Sequence, residues 1–138
     1  MRFHTSLAVR DVAASVAFYR VLFDADPVKR KPDYAKFLPP EVDLNISFHE
    51  SPDAPGPLAA VHLGIEMPDR AVLERAHARL RAAGLVTTER ETSVCCYANQ
   101  DKLWVTDPDG YRWELYALLE DTEQRIAPET RCCGPVRQ

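Results

Sequence analysis

Two stretches of this chain run through the same series of residue types. "FHTSLAVRDVAASVAFYRVL" begins at Phe3, and "VHLGIEMPDRAVLERAHARL" begins at Val61. Each opens on an apolar residue and a histidine, continues as a strand-like run, and reaches an Asp that opens a helix. Such a repeat constrains the fold more than any single motif, because two copies of one supersecondary unit must bury equivalent faces. In the first copy Asp11 is the expected N-cap, with Val12, Val16, Tyr19 and Phe23 on one helical face. In the second the helix starts near Pro68 and Asp69, carries Val72, Ala76, Leu80 and Ala83, and stops at Gly84. Strand candidates follow each helix. "YAKFL" and "LNISFHE" come after the first; "LVTTERE", "SVCCYA", "KLWVT" and "YRWELYALLE" come after the second. "DPDG" at 107–110 reads as a hairpin turn with its Gly at a positive φ. The expected fold is α+β: two tandem βαβββ modules, about 1–51 and 58–120, joined by the linker "SPDAPGP" at 51–57. They form one domain, residues 1–120, with two mixed sheets curved together, followed by a polar tail at 121–138 that contains Cys132 and Cys133.

At 138 residues the chain is long enough to bury a core without staples. A net charge of −4 argues against nucleic-acid or anionic-membrane partners, which want clustered Lys and Arg. No apolar run approaches the roughly 20 residues that cross a bilayer. The first residues carry charges and a histidine where a signal peptide would be apolar, so a cytoplasmic protein is expected. There, thiols stay reduced. All four cysteines fall in two adjacent pairs, Cys95-Cys96 and Cys132-Cys133. A disulfide between neighbours closes a strained ring, so these pairs read as dithiols.

Side chains alternate across a strand, so parity says where each points. In the first strand Phe3, Thr5, Leu7 and Val9 share one face, with His4, Ser6 and Ala8 opposite. In the strand of the second repeat Val61, Leu63, Ile65 and Met67 suit packing against the helices, and His62, Gly64 and Glu66 take the other face. His4 and His62 thus hold equivalent places. Glu114 is the only carboxylate in the middle of the apolar run "YRWELYALL", where burying it calls for a positive partner. Two histidines and one carboxylate form the facial triad of non-haem iron. The same set binds catalytic zinc, so the donors alone leave the metal open, and satisfied sheet histidines with a surface salt bridge are the plain alternative. His77 sits among charged residues and is expected in solvent. His49 is either a spare ligand or an exposed strand end.

The paired βαβββ units, the histidine opening each, "TDPDG" and the late-strand glutamate together resemble the vicinal oxygen chelate superfamily of glyoxalases, extradiol dioxygenases and bleomycin- and fosfomycin-resistance proteins. More narrowly, "FHTSLAV", "LFDADPVKRKPDYAKFL", "LNISF", "HLGIE" and "CCYANQDKLWVTDPDGYRWELY" with the Cys-Cys tail look like the iron-dependent carbon–arsenic lyases, grouped with cadmium-induced proteins. The resemblance implies a cup of two modules around Fe(II), with other divalent metals able to occupy the site. It implies His4, His62 and Glu114 as metal ligands and catalytic residues, and Cys95 and Cys96 as the site for a trivalent organoarsenical. Cys132 and Cys133 are accessory thiols at most.

Adjacent thiols suit that substrate. A monosubstituted arsenical such as methylarsonous acid has two exchangeable oxygens, which two thiolates replace while the carbon–arsenic bond projects. Neighbouring strand residues point to opposite faces, so chelation by Cys95 and Cys96 needs a loop or bulge at 94–98. The implied reaction is O2-dependent cleavage to arsenite, for which zinc lacks the redox chemistry and iron has it. Tyr97, Asn99, Gln100 and Lys102 are candidates for positioning oxygen or substrate, without a ranking among them. Two rivals stay open: a protein that sequesters metalloid or cadmium through its thiols, and a glyoxalase-like enzyme. The latter normally wants a fourth protein ligand, and "LNISF" offers Asn45 and Ser47 but no acid. The assembly is expected to be a monomer or a homodimer.

Overall fold

The computed structural model describes residues 1–54, 61–85, 91–95 and 98–121, with the side chains of 91–99 and 120–121 left aside. Two compact units divide the chain. One takes the described residues of Met1–Pro57 together with Thr106–Tyr111; the other takes those of Leu58–Val105 and Arg112–Gln138.

The first unit is built from β1 (Phe3–Val9), α1 (Val12–Phe23), β2 (Lys29–Lys31), β3 (Tyr34–Phe37) and β4 (Leu44–Glu50). Its sheet has the order β1-β4-β3-β2. β1 runs parallel to β4, and the other pairs are antiparallel. The parallel pair needs a long crossover, which α1 and the β2–β3 hairpin provide. Asp11 starts the helix as expected: its carboxylate accepts from the amides of Ala13 at 2.7 Å and Ala14 at 3.0 Å. Asp24 ends it in the left-handed region at φ 51°, where its amide reaches back to the Arg20 carbonyl. Val12, Val16, Tyr19 and Phe23 are buried against Ala35, Phe37, Ile46 and Phe48. The centre is aromatic, with Tyr19 and Phe48 rings 4.2 Å apart and Phe23 and Phe37 at 5.8 Å. Each such ring stabilises the fold by about 2–3 kcal/mol through burial alone.

β2, "KRK", was not among the expected strands. It has three exposed basic residues and no apolar alternation to announce it. Position explains its composition: it is the sheet's edge, where charge discourages pairing with another chain.

The "DPDG" turn belongs to this first unit although it lies late in the chain. Gly110 has φ 92°, and the turn closes through the Asp107 amide donating to the Tyr111 carbonyl at 3.0 Å. Buried Asp107 accepts from the Tyr19 hydroxyl at 2.8 Å and from the amides of Asp109 at 2.9 Å and Tyr111 at 2.8 Å. Burial still raises its pKa above the ordinary carboxylate value, against those three donors and helped by the charge of Asp109. Asp109 in turn accepts from the backbone and side chain of Arg10 at 3.0 and 2.9 Å.

The second unit repeats the pattern with β5 (Leu63–Met67), α2 (Arg70–Ala82), β6 (Glu91–Cys95), β7 (Ala98–Thr106) and β8 (Arg112–Asp121). The sheet order is β5-β8-β7-β6, with β5 parallel to β8. Asp69 caps α2, accepting from the Val72 amide at 2.8 Å, and Gly84 at φ 70° takes the chain out of the helix. The buried face is Leu73, Ala76 and Leu80, against Ile65, Leu103, Val105, Trp113, Leu115 and Ala117.

Several expectations in this unit need correction. The helix presents Leu73 rather than Val72 to the core, and Ala83 is exposed, because the helical phase runs from Leu73 through Ala76 to Leu80. His77, next to Ala76 in that phase, is half-buried with its Nε2 enclosed and unbonded rather than in solvent. The strand opens at Leu63, so Val61 lies outside it and is 59% exposed. "SVCCYA" is not one strand: β6 ends at Cys95, and its ladder with β7 ends in the pair Cys95–Ala98. The expected loop or bulge at 94–98 centres on Cys96 and Tyr97, which lie outside the described residues. Most of "LVTTERE", Cys96, Tyr97 and the tail with Cys132 and Cys133 lie outside the described residues.

Candidate metal centre

The pleat assigns the polar groups of the second unit to one face. The register sets Gly64 opposite Glu114 and Glu66 opposite Tyr116. Trp113, Leu115 and Ala117, of the other parity, are buried on the α2 side. His62, immediately before β5, shares the parity of Gly64 and turns its Nε2 to 3.4 Å from Glu114 Oε2. From β7, Lys102 sends its ammonium to 3.8 Å from Glu114 Oε1. Its side chain is only 1% exposed and that of Glu114 is 14% exposed. The Glu114 carboxylate thus has one oxygen toward an imidazole nitrogen and the other toward a buried cation. That is the positive partner the apolar run called for.

Aromatic and further polar groups surround this pair. His62 and Trp104 meet edge to face with ring centroids 5.0 Å apart, and the Arg112 guanidinium lies 4.4 Å from the Trp104 centroid. The Tyr116 hydroxyl donates to Glu66 at 3.2 Å. Burial first, and the Glu66 carboxylate second, raise the Tyr116 pKa, with the Glu114 charge adding to the shift. A Cβ at Gly64 would meet the Glu114 carbonyl oxygen at 3.7 Å and the Tyr116 ring at 3.8 Å, ordinary contacts, so the glycine leaves the flank of Glu114 open.

In the first unit His4 lies on β1 with its ring fixed by one bond. Its Nδ1 is 3.0 Å from the Asn45 carbonyl oxygen, which can only accept, so Nδ1 carries the proton and donates. In the neutral imidazole Nε2 then holds the lone pair, the arrangement metal-binding histidines adopt when a backbone carbonyl orients them. His49 is exposed, its Nδ1 3.3 Å from Ser6 Oγ, which accepts from Ser47 at 3.1 Å.

The donors of the second unit fit a divalent cation. Metal bonds to histidine nitrogen and carboxylate oxygen are roughly 2.0–2.2 Å, so two such ligands at right angles stand about 3 Å apart. The 3.4 Å between His62 and Glu114 is within a few tenths of that. Among the described residues no three His, Cys, Asp or Glu side chains gather into one group, His4 belonging to the other unit. Cys95 closes β6, its side chain outside the description, and Cys96 lies beyond it. Sequence reasoning named Lys102 without ranking it and passed over Trp104 and Arg112. Parity would have found Trp104, two residues from Lys102 on the same strand face.

This fold is that of a known class. The Glyoxalase/Bleomycin resistance protein/Dioxygenase superfamily matches residues 3–115, and the chain belongs to it. Within that superfamily it belongs with two groups of relatives. The cadmium-induced protein CadI of Mycobacterium tuberculosis is 43% identical over 122 residues, covering 88% of this chain and 79% of that one. The trivalent organoarsenical cleaving enzyme of Thermomonospora curvata is 38% identical over 135 residues, covering 97% and 89%. The fold is also that of the fosfomycin resistance protein FosX of Listeria monocytogenes, solved with Mn(II) and sulfate. That structure has a TM-score of 0.65 and 20% identity, over 85% of this chain and 89% of that one. No described helix is long and apolar enough to cross a membrane.

Proposed function

We propose that this protein is an enzyme that cleaves the carbon–arsenic bond of trivalent organoarsenicals such as methylarsonous acid, using Fe(II) and dioxygen. The observation that carries the reading is the 38% identity, across 97% of the chain, to an enzyme named for that cleavage. The approach of His62 to Glu114 and the carbonyl-oriented ring of His4 support a metal in the same reading. His4, His62 and Glu114 would hold the iron, with positions left for dioxygen. The iron supplies one-electron and oxygen chemistry that zinc lacks. Methylarsonous acid and one dioxygen together hold the atoms of arsenous acid and formaldehyde. Carbon is oxidised, dioxygen is reduced, arsenic stays trivalent, and no further reductant is required.

The chain's own residues contribute binding and orientation. Cys95 and Cys96 replace the two oxygens on arsenic with thiolates and leave the carbon–arsenic bond projecting. Holding that bond in one orientation supplies much of the rate. Trp104 and Arg112 keep the His62 ring in place, and Lys102 compensates the Glu114 charge.

Arsenic speciation after aerobic incubation of Fe(II)-loaded protein with methylarsonous acid tests the reading against an iron-free control. Iron-dependent arsenite with equimolar formaldehyde is expected, and Cys96→Ser is expected to keep its iron and lose turnover. An arsenical that stays bound and intact would make the thiols a sink rather than a substrate site.

A further inference from the structure

The Glu114 carboxylate is divided between two neighbours, and the division has a chemical consequence. Oε2 faces His62 Nε2 at 3.4 Å, while Oε1 faces Lys102 Nζ at 3.8 Å. Lys102 is among the largest fully buried side chains of the described residues. Burying an ammonium costs several kcal/mol unless opposite charge meets it. A lysine also has ample length to reach solvent from a sheet face when nothing holds it inside. Its retreat to 1% exposure beside a carboxylate is therefore a commitment of the fold. An ammonium and a divalent cation repel, and sharing one carboxylate oxygen between them is the arrangement each least favours.

We infer that Lys102 is a positioning residue that keeps Glu114 a one-oxygen ligand. With its charge 3.8 Å from Oε1 it disfavours a metal bond to that oxygen and leaves Oε2 to the metal beside His62, and so keeps open a coordination position that a chelating carboxylate would fill. This rests on the metal reading of His4, His62 and Glu114. Gly64 agrees with it: the ladder neighbour of Glu114 brings no side chain to compete for that carboxylate. Lys102 exacts a cost in affinity, because its charge opposes the cation it helps to place. Its removal should therefore tighten metal binding while changing its geometry, the reverse of what a merely structural residue would do.

Co(II) under anaerobic conditions is the probe, in the full-length wild type, Lys102→Met and Glu114→Ala. Crystal structures or X-ray absorption of the Co(II)-loaded wild type should show one Glu114 oxygen at bonding distance, and Lys102→Met should show two. The Co(II) dissociation constant should fall about tenfold in Lys102→Met, with one cation's repulsion removed. A wild-type Glu114 that chelates through both oxygens overturns the inference without any variant, so a poorly folding Lys102→Met does not protect it. Weaker Co(II) binding in a folded Lys102→Met, with Glu114 ligation unchanged, overturns it as well. Undiminished Co(II) binding by Glu114→Ala would instead bring down the ligand assignment itself.

Discussion

The two βαβββ units share an element order and a sheet order, yet they bury different chemistry. The first packs Tyr19, Phe23, Phe37 and Phe48 around one helix; of its buried acids, Asp107 is met by a hydroxyl and two backbone amides and Asp109 by Arg10. The second has an aliphatic helix face of Leu73, Ala76 and Leu80; its buried Asp101 likewise meets an arginine, Arg70, at 2.9 Å, but it also buries a cation, Lys102 near Glu114. Neutral donors around a carboxylate make a structural lock with nothing left to give. Charged neighbours around a carboxylate hold an imbalance that a cation can enter. One topology thus carries a neutral hydrogen-bonded acid in one copy and a buried ion pair in the other.

Removing the acid of that ion pair gives the largest effect. Glu114→Ala should abolish metal binding, weakening it by more than about a hundredfold, as measured by metal content after loading and dialysis. The metal-free protein should also lose stability, by up to about 3 kcal/mol, because the buried Lys102 charge loses a partner. Adding Lys102→Met should recover most of that loss without recovering the metal. A double variant no more stable than Glu114→Ala would show that the two charges do not compensate each other.

In the first unit Asp107→Ala should cost about 3 kcal/mol in denaturant unfolding, since a buried hydroxyl and two amides lose their acceptor. Asp107→Asn should cost about 1 kcal/mol, because an amide oxygen still accepts the two backbone bonds. Wild type and Asp107→Asn also separate in pH. Burial raises the Asp107 pKa, so the folded protein binds this proton more tightly than the unfolded chain. The stability this contributes is fully present below the ordinary carboxylate value near 4 and is lost as pH rises through the raised folded value. The advantage of wild type over Asp107→Asn should therefore shrink as pH climbs through that window. An advantage that grows instead would mean that the three donors outweigh burial.

Much of this was legible in the sequence because repeat and parity are local properties. Phe3 to Val9 and Arg112 to Asp121 announce their strands, Asp11 and Asp69 announce their helices, and alternation alone sends Glu114 away from Trp113 and Leu115. What failed depended on neighbours from elsewhere. "KRK" is a strand because β3 pairs with it, not because of its own pattern. Leu73 displaces Val72 because of where the sheet lies against α2, which periodicity fixes only to within one residue. Lys102 could not be ranked among its candidates because the "DPDG" hairpin makes β7 and β8 neighbours without saying which β7 side chain is buried beside Glu114.

The smallest effect sharpens the contrast between buried and exposed charge. Arg20 and Asp26 approach to 2.6 Å, closer than Lys102 and Glu114, but their side chains are 57% and 74% exposed. Water screens such a pair, and ordering two long side chains offsets much of the attraction. Arg20→Ala should change unfolding free energy by less than about 0.5 kcal/mol, and raising the salt concentration should erase what remains. If this substitution costs as much as breaking the longer contact at Glu114, distance rather than burial governs the ion pairs of this fold. The imbalance assigned to the second unit would then lose its physical basis.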